Sequence, residues 1–160
     1  MNDFNPRAVH IVRPYDGEYP WDLLLEADPS RSRVEGYVSD ALTRIAKVDE
    51  ETLAVYALVR NTSTCFELMN IAVRDDYRGC GLGRRMMGHA LGLAESKGAR
   101  VVDVGTANSS LEGLAFYQRN GFRIVGVDPD FFTEHYPEPI FENGIRARDR
   151  VRLRFELTPE

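Results

Sequence analysis

Val73-Arg74-Asp75-Asp76-Tyr77-Arg78-Gly79-Cys80-Gly81-Leu82-Gly83-Arg84-Arg85 is the stretch on which the reading of this chain turns. Before it lies an apolar run, Cys65 to Val73 (CFELMNIAV), which reads as a strand. After it, Met86, Met87, Ala90, Leu91, Leu93 and Ala94 recur at helical spacing, predicting a helix over 83–97 that Gly98 ends. Three glycines at alternate positions keep side chains out of the turn between them. Backbone N–H groups can then approach a ligand closely, and the helix N-terminus adds partial positive charge. Such a turn suits a phosphate or pyrophosphate. Arg78, Arg84 and Arg85 could add charge from its edges.

The commoner nucleotide loops do not fit. A P-loop needs G-x-x-x-x-G-K-[ST], and no Lys-Ser/Thr pair follows here. A dinucleotide fingerprint needs G-x-G-x-x-G. Counted from Gly79 or Gly81, its last position falls on Arg84 or Met86. From the residues alone the turn is either a tight strand–helix connection without a ligand or an anion cradle of another spacing.

Working outward, Val9 to Val12 predicts a short strand. Trp21 to Asp28 and Ser32 to Asp40 predict two short helices broken at Pro29, with Ser30 or Ser32 as a cap. Leu42 to Val48 and Leu53 to Arg60 read as strands joined by a hairpin turn at Asp49-Glu50-Glu51. Val101 to Val104 is an apolar strand after the long helix, so strand, helix and strand form a βαβ crossover with parallel strands. Leu111 to Asn120 predicts a second long helix, closed by Gly121. Phe122 to Val127 and Arg150 to Leu157 predict strands, and 128–144 reads as a loop rich in aromatics and prolines. The order predicts a single α/β (α+β) domain spanning 1–160, with one mixed, mostly antiparallel central sheet flanked by helices.

The chain has 160 residues and a net charge of -5, which argues against a nucleic-acid partner. Arg146, Arg148, Arg150, Arg152 and Arg154 alternate near the C-terminus, so a strand would set them on one face. They form a solvated face, an anion site or a subunit contact. Cys65 and Cys80 sit in neither a C-x-x-C nor a zinc spacing, which suggests a reducing compartment. MNDFNPRAVHIVRP has no apolar run like a signal peptide, and no segment reaches the ~18 apolar residues of a membrane span. A cytoplasmic location and no membrane partner are expected. His10, His89 and His135 are scattered, and nothing has metal-ligand spacing, so no metal is expected.

The remaining spacing of the turn is R/Q-x-x-G-x-G/A, here Arg78, Gly81 and Gly83. It closely resembles the acyl-CoA loop of the GNAT (Gcn5-related N-acetyltransferase) superfamily. Glu67 to Val73 resembles that family's fourth strand. Asn108 to Phe122 (NSSLEGLAFYQRNGF) resembles its second motif, an asparagine followed by a F/L-Y-x-x-x-G-F ending. The element order matches too, so the resemblance covers nearly the whole chain. The tail from Phe131 to Arg150 resembles that of a group of largely uncharacterised bacterial members and brings no substrate with it.

The resemblance implies an acyl-CoA N-acyltransferase fold, with the parallel strands splayed around acyl-CoA and acetyl-CoA as co-substrate. Gly79, Cys80, Gly81, Leu82 and Gly83 would hold the pyrophosphate on their amides, aided by Arg78 and Arg84. Ile71, Ala72 and Val73 would bond the pantetheine arm, and Asn108 would contact it. The implied chemistry is direct attack of an amine on the thioester. An alkyl ammonium has a pKa near 10.4, so only about one in a few thousand is neutral at pH 7 and a base is needed. Glu67 is the first candidate. A regular strand would put it on one face with Cys65, Met69, Ile71 and Val73, where apolar neighbours would raise its pKa. Asp103 is the second candidate, five residues before Asn108, where ribosomal-protein N-terminal acetyltransferases carry a glutamate. Tyr117 is the implied general acid toward the departing sulfur. The acceptor amine is unidentified. Trp21, Tyr37, Phe131, Phe132, Tyr136 and Phe141 could line its pocket or fill the core. Glu134, Glu138 and Glu142 would make an acidic mouth suited to a cationic amine. A homodimer through the arginine strand is possible. A non-catalytic acyl-CoA-binding or regulatory module is the rival reading, and a nucleotide phosphate-binding domain is a third.

Overall fold

A computed structural model describes residues 5–157, so the first four residues of the MNDFNPRAVHIVRP stretch lie outside it. Seven strands form the central sheet: β1 (His10–Val12), β2 (Leu42–Val48), β3 (Glu51–Arg60), β4 (Cys65–Val73), β5 (Val101–Ala107), β6 (Arg123–Asp128) and β9 (Arg150–Glu156). Their order across the sheet is β1-β2-β3-β4-β5-β9-β6. Every neighbouring pair is antiparallel except β4 and β5, which are parallel as the crossover requires.

Helices cover both faces. On one face lies α3 (Leu82–Ser96), burying Met86, Met87, Ala90 and Ala94 against Tyr56, Leu58, Phe66 and Leu68 of β3 and β4. The small Ala90 and Ala94 let the helix lie close to the sheet. On the other face α1 (Trp21–Ala27) and α2 (Arg31–Tyr37) bury Leu23, Leu24, Val34 and Tyr37 against Val55, Ala57 and Ala72. The oxygen of Ser30 accepts from the Arg33 amide and caps α2. The fourth helix, α4 (Leu111–Arg119), closes with paired bonds from Gly121 N to Gln118 O and from Phe122 N to Tyr117 O.

Three sequence expectations needed correction. β5 runs three residues past Val104, through Gly105-Thr106-Ala107, because β9 pairs with its whole length. The aromatic segment after Asp128 is not a plain loop. It contains α5 (Phe131–His135) and a two-stranded hairpin of β7 (Phe141–Glu142) and β8 (Ile145–Arg146). The hairpin turns on Asn143 and Gly144, both at positive φ, so the Asn-Gly pair was a legible signal. Only Arg150, Arg152 and Arg154 share the face of one strand, since Arg146 belongs to β8 and Arg148 to the connection.

Among the described residues no helix is long and apolar enough to cross a membrane. No three His, Cys, Asp or Glu side chains among them are grouped to hold a metal ion.

Candidate functional site

β4 and β5 pair at only three positions, Cys65 with Val101, Phe66 with Val102 and Glu67 with Asp103. Beyond these β4 stays with β3 while β5 stays with β9, and the two part. The parting coincides with a β-bulge. Ala57 opposes Asn70 and Leu58 opposes Leu68, which leaves Met69 as the extra residue of β4. A bulge bends its strand, and here it turns β4 away from β5. A cleft of about 1140 Å³ fills the opening, lined by residues 67–73 of β4 and 104–107 of β5.

The glycine turn closes one end. Gly79 and Gly81 hold φ of 76° and 85°, and a Cβ on either would meet nothing within 4 Å, so their backbones stand open. Gly83 is glycine for a different reason: a Cβ there would sit 3.2 Å from the Phe116 ring and 3.7 Å from Val73. All three glycines line the cleft, as do Ile71, Ala72, Val73, Arg78 and Arg84. Arg78 donates to the Val73 carbonyl at 3.2 Å and pairs with Asp75 at 2.9 Å. Cys80 and Leu82 put no side chain there. The Cys80 thiol donates to the Tyr77 carbonyl at 2.6 Å, and Leu82 is buried in the core beneath α3. Arg85 donates to the Val9 carbonyl rather than reaching the cleft.

The bulge also re-sorts the candidates on β4. Glu67 opposes Val59, which packs with the α1 and α2 side, whereas Ile71 and Val73 oppose Tyr56 and Ala54 on the α3 side. Glu67 therefore does not share their face, contrary to strict alternation. Glu67 lines the cleft and its carboxylate accepts from Asn61 Nδ2 at 3.3 Å, so its neighbours are not wholly apolar. Asp103 is absent from the cleft wall. Arg154 grips both its oxygens, at 2.7 and 3.0 Å, and the Cys65 thiol donates to it at 3.5 Å.

Tyr117 does line the cleft. The closure of α4 seats Phe122 against it with ring centres 5.8 Å apart, and Phe116 lies 5.5 Å away. Burial pushes its phenol up to about 12. Asn108 is used otherwise than expected. Its Oδ1 accepts from Arg148 N at 2.8 Å and Asp149 N at 3.1 Å, and its Nδ2 donates to the Arg146 carbonyl at 3.2 Å. It clamps the chain entering β9, and it is not on the cleft wall.

At the far end the cleft meets α2 and α5. Phe131, Phe132 and Tyr136 line it as one of the two expectations allowed. Tyr37 instead lies in the core, bonded to Asn70, and Phe141 is exposed. Trp21 carries Arg31 at 4.1 Å over its ring. Of the three glutamates expected to make an acidic mouth, Glu142 lines the cleft. Glu134 and Glu138 are off the wall, and Glu142 accepts from the hydroxyl of the buried Ser109 at 3.2 Å. Sequence reasoning missed Asp28, Arg33 and, as a cleft residue, Arg150, all of which line this end. No local motif links residues so far apart along the chain. His89 bonds the Tyr56 hydroxyl through Nδ1 at 2.7 Å.

A family model described as "Acetyltransferase (GNAT) domain" matches residues 39–124. An uncharacterised N-acetyltransferase of Bacillus subtilis (strain 168), YvbK, is 42% identical over 137 residues, covering 86% of this chain and 88% of its own. The crystal structure of a GNAT family acetyltransferase from Elizabethkingia anophelis with acetyl-CoA bound is similar at a TM-score of 0.90 and 34% identity, covering 94% of this chain and 99% of that one. An IAA acetyltransferase from Bacillus cereus ATCC 14579 is similar at 0.88 and 43% identity, covering 93% and 99%. The chain belongs to the GNAT acetyltransferase family.

Proposed function

We propose that this GNAT-family chain transfers the acetyl group of acetyl-CoA directly to a primary amine. The observation that carries the reading is the parting of β4 and β5 beyond Glu67 and Asp103, which opens one cleft from the glycine turn past Tyr117. The residues present fit the co-substrate. Gly79 and Gly81 leave their backbone unobstructed, Arg78 and Arg84 flank them, and the β4 edge lies open to the cleft. Acetyl-CoA supplies an acetyl group already activated as a thioester.

Each residue then has a defined task. The turn amides and the N-terminus of α3 hold the pyrophosphate, with Arg84 adding charge. The β4 backbone at Ile71 to Val73 bonds the pantetheine arm, and an N–H near Val73 polarises the thioester carbonyl. Glu67, at the opposite end of the same strand, takes a proton from the acceptor ammonium directly or through water. Tyr117 keeps its proton at neutral pH and gives it to the departing sulfur, which leaves as a thiol, while the proton shed by the nitrogen as the amide forms restores the phenol. Asp103 is not needed as a base, since Arg154 already holds it.

Free thiol released from acetyl-CoA across a panel of amines tests this, with CoA binding followed by calorimetry. Thiol release with at least one amine is expected. CoA binding with no release across a broad panel would assign a non-catalytic acyl-CoA-binding module instead. ATP or NAD binding more tightly than CoA would overturn the assignment of the turn.

A further inference from the structure

We propose that the acceptor amine carries a carboxylate, read by Arg33 and Arg150 where both converge on Phe131. The proposal rests on the transferase reading above and names its substrate class.

Arg33 comes from α2 and Arg150 from the start of β9, and both line the cleft. Their guanidinium carbons lie 5.2 and 4.4 Å from the centre of the Phe131 ring. Stacking on a ring holds a guanidinium in place and leaves its N–H groups free at the edge for an acceptor. Arg33 is held on two sides and keeps part of its side chain on the cleft. Its Nε is buried and makes no hydrogen bond among the described residues. The Asp28 Oδ2 at 3.8 Å is its ion-pair partner but lies beyond hydrogen-bonding distance. The other Asp28 oxygen is taken by the Tyr136 hydroxyl at 2.7 Å and the Ser30 amide at 3.1 Å. That Nε donor is closed to solvent, so a ligand would meet the rest of the Arg33 side chain, which is 31% exposed and lines the cleft.

Arg150 is placed with equal care. Its stem crosses Gly105 of β5, where a Cβ would stand 2.7 Å from the Arg150 Cδ. Only glycine lets that arginine lie over the strand. Arg150 donates through Nε to Asp128 at 2.8 Å, but Arg152 also donates to Asp128, at 3.1 Å. Within this cluster three guanidinium groups thus face two carboxylates, Asp28 and Asp128, an excess of one positive charge among these five groups. That balance suits a monoanion. A planar carboxylate also offers the paired acceptors that a guanidinium fork matches. Glu67 lines the same cleft and supplies the opposite charge for the ammonium. The end of the cleft therefore fits an amino acid or another amine bearing a carboxylate, with Phe132 and Tyr136 as apolar walls.

Matched pairs test this: the common amino acids and their amides, presented to CoA-saturated protein in calorimetry and, with acetyl-CoA, in the thiol-release assay. At least one amino acid should be favoured over its amide by about tenfold or more in Kd and in kcat/KM. Arg33→Gln or Arg150→Gln should bring that ratio close to one. Arg33→Gln carries the test alone if Arg150→Gln does not fold. Amides bound as well as their acids, no amino acid bound, or a ratio untouched by both variants would overturn the proposal. A phosphate-bearing amine such as phosphoethanolamine outcompeting every amino acid would overturn it in favour of a phosphate site. Selective, arginine-dependent binding of a carboxylate without thiol release from any amine would sink the transferase reading and leave Arg33 and Arg150 as a carboxylate site without an acceptor role.

Discussion

Glu67 and Asp103 face each other at the last position where β4 and β5 pair, and only Glu67 lines the cleft. Asp103 is held through both oxygens by Arg154. The two carboxylates that the sequence offered as bases are thereby separated by one arginine on β9. Glu67→Gln is expected to lower kcat/KM by about 10²- to 10⁴-fold, the usual worth of a general base. Asp103→Asn should leave kcat/KM within a few-fold and cost about 1 kcal/mol of stability, because the pair it breaks is partly exposed. Parallel kinetics and thermal melts of both variants read the difference.

Tyr117 should matter for the departing group and not for cofactor affinity. Tyr117→Phe is expected to lower kcat by about 10²-fold while the Kd for CoA stays close to that of the parent. An unchanged rate and pH profile would remove Tyr117 from the mechanism.

The same burial has a consequence at high pH. Tyr37 and Tyr117 are both pushed from 10.0 up to about 12, and burial raises Tyr56 and Tyr136 as well. A pKa raised on folding stabilises the protein fully below the unfolded value and is lost as pH climbs through the folded one. Melting temperature should therefore hold up to about pH 10 and fall steeply between pH 10 and 12. Tyr117→Phe should make that alkaline fall shallower in a pH series of melts.

The glycines of the turn should separate by mechanism. Gly81→Ala forces a left-handed backbone on a residue with a Cβ and should cost about 1 kcal/mol of stability. Gly83→Ala adds a Cβ 3.2 Å from Phe116, so the ring beside Tyr117 must shift. Its main effect should be a raised KM for acetyl-CoA, with a smaller change in melting temperature.

Asn108→Ala removes three hydrogen bonds that tie residues 146–149 to the end of β5. About 1–3 kcal/mol of stability should go with them, since backbone amides are left unpaired. Limited proteolysis should show faster cutting between α5 and β9, while the Kd for CoA changes little. A large loss of CoA affinity without a loss of stability would restore Asn108 to the cofactor site.

Much of the fold was legible because its signals are local. The helical spacing after Gly83, the glycine closing each long helix and the alternating runs of β2 to β4 depend on neighbours within a turn or a hairpin. The glycine turn was legible for the same reason, since its backbone freedom is written in Gly79 and Gly81. Where the reading failed, the cause was a partner from far along the chain. β5 extends through Gly105-Thr106-Ala107 because β9 pairs with it, not because those residues favour a strand. Strict alternation placed Glu67 beside Ile71, and one extra residue at Met69 moved it to the opposite face.

The sequence by itself determined the family's scaffold and the open glycine turn, because each is specified by residues close together along the chain. The tertiary structure decided which of the two carboxylates, Glu67 or Asp103, lines the cleft and what lies at its far end. Arg154 neutralises Asp103 from a neighbouring strand, and Asn108 is spent on clamping the chain into β9. Arg33 and Arg150 meet over Phe131 only once α2, α5 and β9 are packed together. Charge pairing across a sheet depends on register and proximity in space, and neither is encoded in any single stretch of the chain.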